Sequence, residues 1–139
     1  MTEERARYER EVEVDEGYVG AIRCFESGAT RDTDEGKLDF EGFLSPFALE
    51  AYAQYLHKHR RQRDGQLRAS DNWQKGMPVD VCMKSLWRHF FAVWRGHRCG
   101  DVSVDDLCGV IFNAMALLHE MELEEKGLTR VPGDVVKYE

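Results

Sequence analysis

Three stretches of the chain repeat apolar residues at helical spacing, and each carries a recognisable end signal. The first follows Ser45-Pro46, a capping residue ahead of a proline whose missing N–H is harmless in a first turn. It predicts a helix to about Arg61 with Leu49, Tyr52, Ala53 and Leu56 on the apolar stripe and Glu50, Gln54, His57, Lys58 and Arg61 on another face. The second helix follows Pro78 and ends near Gly96. Its wide apolar face of Cys82, Met83, Leu86, Trp87, Phe90, Val93 and Trp94 marks it as the central core helix. The third begins at Ser103, whose side chain can cap the N–H of Asp106 while Asp106 reaches back, and it stops before Gly127. Leu107, Val110, Ile111, Ala114, Met115 and Leu118 are its expected buried stripe.

The remaining segments break this pattern. Residues 1–27 hold Glu11-Val12-Glu13-Val14, a turn-like Asp15-Glu16-Gly17 and the apolar run Tyr18 to Ile22, which suits a short hairpin or a frayed arm. Residues 28–39 lack periodicity and are rich in turn formers, so an irregular loop is expected. From Gln62 to Pro78 runs a polar connection of 17 residues. Loops of that length are functional or disordered, and a tryptophan and a lysine between turn residues favour function. The pattern therefore predicts an all-α fold with an irregular or short β N-terminal arm over 1–27, a helical domain over 28–126 and a tail over 127–139. Three helices leave Trp87, Trp94 and the pair Phe90-Phe91 uncovered, so the bundle is expected to be completed by oligomerisation.

Composition narrows the class. With 139 residues and 42% hydrophobic positions, the chain supports one core without staples. No window nears the ~18 consecutive apolar residues of a membrane span, and the charged start is unlike a signal peptide. A cytoplasmic protein without membrane contact is the expectation. Cys24, Cys82, Cys99 and Cys108 show no C-x-x-C spacing, which favours reduced thiols. The net charge of -7 argues against direct nucleic-acid binding. Its distribution is uneven: residues 1–50 carry 6 Lys/Arg against 14 Asp/Glu, 51–100 carry 10 against 3, and 101–139 carry 3 against 9. A basic middle between acidic ends suits an anion site beside metal-binding carboxylates, or charges neutralising one another across helices.

Hard divalent ions need converging oxygen ligands. Glu50, Gln54 and His57 share one helix face, and Asp105 and Asp106 open the third helix, where acids also stabilise the helix dipole. Glu50, Gln54, Asp105 and Asp106 are the candidate metal ligands, and Glu50, His57 and Asp106 the candidate catalytic groups. Asn113 lies among Val110, Ile111, Phe112, Ala114 and Met115 and must have a partner, either a neighbouring helix or a ligand. Arg31, Lys37, Lys75, Arg88 and His89 are candidates for phosphate contacts, and Asn72 and Trp73 for the base.

The order of motifs adds a resemblance. G-A-x-R-D-T-D-E-G-K-L-D at 28–39, F-L-S-P at 43–46, H-x-H-R at 57–60, D-N-W-Q-K-G-M-P at 71–78, S-L-W-R-H at 85–89 and L-C-G-V-I-F-N-A-M-A-L-L-H-E at 107–120 resemble the phage dATP/dGTP diphosphohydrolase-like group. That group is a branch of the all-α MazG-like and MazZ-like nucleotide pyrophosphohydrolases. The resemblance implies a helical bundle working as a homodimer or homotetramer, which uses Mg²⁺ or Mn²⁺ to cleave a (deoxy)nucleoside triphosphate by water attack on phosphorus. It implies that Glu50 stands in the first-helix acidic motif and Asp105 or Asp106 in the later one. Position 53 is alanine, where the family's first-helix pattern has a further acid. The alternative reading is a nucleotide-binding or protein-interaction module on the same fold.

Overall fold

The computed structural model describes residues 9–11, 21–128 and 133–137. They fall into two compact units, Met1–Phe43 and Leu44–Glu139.

In the first unit, β1 (Glu9–Glu11), β2 (Ala21–Cys24) and β3 (Thr30–Asp32) form an antiparallel sheet in the order β1-β2-β3. The registers pair Arg10 with Ile22 and Ile22 with Asp32. The segment 28–39, expected as an irregular loop, thus contributes a strand. Gly28, at φ 86°, turns the chain so that the Phe25 N–H donates to the Ala29 carbonyl at 2.9 Å. The turn expected at residues 15–17 lies outside the described residues. A four-residue helix, α1 (Phe40–Phe43), closes the unit, with Asp39 capping the Gly42 N–H at 2.9 Å.

The second unit is helical. Ser45 accepts from the Ala48 N–H at 3.2 Å and starts α2 (Pro46–Lys58). A 3₁₀ turn at Asn72–Lys75 precedes α3 (Val79–Cys99), and α4 (Val104–Glu125) follows. Between α3 and α4, Gly100 takes the left-handed conformation at φ 79°, and the Asp101 N–H donates to the Gly96 carbonyl at 2.8 Å. A side chain on Gly96 would run into the Asp101 carbonyl, so the tight link needs glycine there too. Contacts of Tyr52 with Met115, Lys58 with Asp105 and His89 with Asp106 show α2 and α3 both lying against α4, antiparallel to it.

The central helix is therefore α4, and not the aromatic-rich α3 that the apolar pattern favours. The buried positions of α4 are Cys108, Gly109, Asn113 and Ala116, while Leu107, Ile111 and Leu118 of the expected stripe are exposed. The reason is steric. A helix covered on two sides needs small residues at the crossings, and a Cβ on Gly109 would sit 2.5 Å from Cγ of the His89 ring. On α3 only Cys82 is buried, whereas Trp87 is 63% and Trp94 51% exposed. The four cysteines are free thiols, and burial pushes the Cys82 and Cys108 thiols above their usual range. No described helix is long and apolar enough to cross a membrane.

Candidate functional site

Helix α2 ends three residues earlier than its pattern suggests because the next residues pair with each other. Arg61 bridges Leu67 in an antiparallel pair, and the Arg68 N–H donates to the Arg60 carbonyl at 2.8 Å. This small hairpin and the 3₁₀ turn after it form the long polar connection, which becomes a wall. Against it, Tyr55, Leu56, His59 and Arg60 of α2, Ser85 and His89 of α3, and Phe112 and Asn113 of α4 enclose a cavity of about 270 Å³. The loop contributes Arg68, Ala69, Ser70, Asn72, Trp73 and Met77. The connection read as functional is thus built into a pocket.

Trp73 is held in place by α4. Its ring meets Phe112 edge-on at 6.1 Å and His119 at 5.1 Å between centroids. It therefore serves both as a packing anchor for the loop and as an aromatic wall of the cavity. On the α2 side, Tyr55 lies 4.3 Å from the His59 ring. Burial raises the Tyr55 phenol above its ordinary value, and Asp105 adds to the effect, so the acidic start of α4 lies nearby. Tyr52 is raised more strongly, by burial first, and its hydroxyl meets the Met115 sulfur at 3.5 Å.

Ser103 caps the Asp106 N–H at 3.4 Å, as its sequence context suggests. The Asp106 carboxylate does not serve the cap. It lies 3.4 Å from Nδ1 of His89, whose ring is seated on Gly109. Asp105 pairs with Lys58 of α2. Asn113 is buried and donates to the carbonyl of Gly109, one turn earlier in its own helix, at 2.7 Å. Its partner is thus the backbone, with no second helix required.

Of the residues proposed from sequence, the structure brings Asn72, Trp73, His89 and Asn113 to one cavity. Lys75 and Arg88 are exposed and outside its lining. Arg31 and Lys37 line a polar depression of the first unit together with Arg23, Asp32, Asp34 and Asp39, where Arg23 pairs with Asp34 at 3.4 Å. Glu50, Gln54 and His57 are exposed. At 100° per residue they lie on the side of α2 away from Tyr52, the residue that faces α4. Among the described residues no three His, Cys, Asp or Glu side chains converge to hold a metal. Of the proposed metal set, Asp105 pairs with Lys58 and Asp106 lies beside His89, while Glu50 and Gln54 lie on the far side of α2. The cavity residues that sequence reasoning missed include Tyr55, His59, Arg60, Arg68, Ser70, Ser85 and Phe112. For Arg60 and Arg68 the signal was the basic middle of the chain.

Residues 27–130 match the family described as dATP/dGTP diphosphohydrolase, N-terminal. No curated protein and no solved structure matches the chain.

Proposed function

The chain belongs to the dATP/dGTP diphosphohydrolase N-terminal family, and on that premise we propose that it hydrolyses (deoxy)nucleoside triphosphates, dATP and dGTP foremost, to monophosphate and pyrophosphate. The oxygen of water attacks the α-phosphorus, the bond to the bridging oxygen breaks, and pyrophosphate leaves. The observation that carries this reading is the cavity between α2, α4 and the tryptophan loop. It offers aromatic faces at Tyr55, Trp73 and Phe112, amide and hydroxyl groups at Asn72, Asn113, Ser70 and Ser85, and cationic groups at its rim. Those features suit a base, its polar edge and a phosphate in turn. His89 faces the same cavity while Asp106 holds its other side.

The proposal includes dependence on Mg²⁺ or Mn²⁺, action on the nucleotide pool of phage-infected host cytoplasm, a MazG-like bundle, and a homodimer or homotetramer. Among the described residues of one chain no three His, Cys, Asp or Glu side chains converge on such an ion. The exposed aromatics of α3 support self-association, because a monomer seldom leaves so large an apolar face in water. Replacing Trp87 and Trp94 together by serine is expected to shift the mass measured by light scattering to that of one chain. A wild-type chain that is already monomeric at high concentration would remove that part of the proposal.

The test of the reaction incubates the protein with each dNTP and NTP in Mg²⁺, Mn²⁺ or EDTA and separates monophosphate, pyrophosphate and phosphate. Monophosphate plus pyrophosphate from dATP or dGTP, absent in EDTA, is the expected result. The separation of the acids within the chain favours a second reading, a module that binds nucleotide without cleaving it. That module would show ligand stabilisation, about 2.7 kcal/mol at a ligand excess of 100 dissociation constants, and no product.

A further inference from the structure

The cavity is lined by two arginines and two histidines and by no carboxylate. In a chain with 26 Asp/Glu against 19 Lys/Arg, an acid beside those arginines would be the ordinary way to neutralise them. Among the described residues no carboxylate forms an ion pair with Arg60 or Arg68. Asp64, at the hairpin's turn, accepts from the Gln66 N–H at 3.0 Å. A pair of neighbouring cations left without an internal anion is what an anionic ligand requires.

The two side chains are also held in register. Gln62 N–H donates to the Gln66 carbonyl at 2.9 Å, Gly65 turns the chain at φ 83°, and Arg68 N–H donates to the Arg60 carbonyl. Across this hairpin the Arg60 Nε donates to the Arg68 carbonyl at 2.8 Å. One N–H of Arg60 therefore fixes its fork, and its two terminal nitrogens remain for a ligand. Arg68 is exposed and Arg60 half-buried, which puts both at the mouth of the cavity. At about 270 Å³ the cavity lies just below the ~300–1,000 Å³ of small-molecule sites, so it suits a nucleoside whose phosphates emerge at that mouth.

We propose that Arg60 and Arg68 form a phosphate clamp, which grips a phosphate of a nucleoside phosphate at the rim while the base enters beside Trp73. The clamp rests on the nucleotide-site reading above. It assigns the phosphate contacts to the hairpin and not to Lys75 or Arg88. A planar guanidinium matches two phosphate oxygens at once, which a lysine cannot do.

Binding of deoxyguanosine, dGMP and inorganic pyrophosphate to the full chain in EDTA, followed by calorimetry, tests it. Arg68→Gln is the leading variant, because its guanidinium holds no bond within the described chain. Arg60→Lys keeps the charge and loses the fork, and equal melting temperatures check that both variants fold. The expected result is roughly a tenfold or greater weakening of dGMP and pyrophosphate in Arg68→Gln, with deoxyguanosine unchanged, the size of one charge-assisted hydrogen bond. Unchanged dGMP affinity, or equal losses for dGMP and deoxyguanosine, overturns the clamp. Wild-type dNTP turnover alongside normal dGMP binding by Arg68→Gln would reject the clamp and leave the proposed reaction standing. Arg68-dependent binding without any dNTP hydrolysis would do the reverse.

Discussion

The two faces of α2 tell different stories. The outward face carries Glu50, Gln54 and His57, the residues whose spacing looks most like chemistry, and all three are exposed. The inward face carries Tyr52, Tyr55, Leu56 and His59, which look like core and instead split between packing on α4 and lining a cavity. The difference teaches that a polar helical stripe marks solvent as readily as it marks a site. A site inside a small bundle is built from aromatic and amide groups that periodicity assigns to the core.

Four measurements break or sharpen this contrast. The largest effect is expected at the inward crossing. Gly109→Val puts carbon into the space of the His89 ring, an overpacking that costs about 1–3 kcal/mol, so the melting temperature should fall by several degrees and nucleotide affinity with it. Full stability of that variant would show that α3 and α4 do not cross where described.

Next comes thiol reactivity. Cys82 and Cys108 are buried and their thiols raised, so they hold less thiolate at pH 8 than an ordinary cysteine, whereas Cys99 is exposed. Alkylation at pH 8, followed by peptide mass mapping, should label Cys99 at least about tenfold faster. The gap should narrow as pH rises through the raised thiol range.

Trp73→Ala should weaken dGMP binding roughly tenfold through lost stacking, with a smaller loss of stability from the edge contacts to Phe112 and His119. The smallest effect is expected on the outward face. Glu50→Ala should change dGMP affinity in EDTA by less than about twofold, because Glu50 is exposed and outside the cavity lining. A tenfold loss there would move the nucleotide to the outer face of α2.

Helix starts were legible in the residues because they depend on local chemistry, whereas α2 stops at Lys58 short of the expected Arg61 and α3 runs past Gly96 to Cys99. Ser45-Pro46, Pro78, Ser103 and Gly127 satisfy or interrupt backbone hydrogen bonds within one turn of themselves, and the helices begin or end beside them. The tryptophan of the long connection was legible too, since an aromatic between turn residues needs a packing partner. Which face of each helix turns inward was not legible. Both α3 and α4 offer more apolar surface than one bundle of three helices can cover, so residue type leaves several packings open.

Backbone approach settled the choice. Gly109 and Ala116 let two helices close on α4, which placed His89 against Asp106 and left the bulkier Leu107, Ile111 and Leu118 outside. The pairing of Arg60 with Arg68 is likewise a matter of register across a hairpin eight residues apart, which composition does not encode. Caps and turns follow from neighbours along the chain. The cavity follows from neighbours across it, where sterics and hydrogen-bond satisfaction act between elements far apart in sequence.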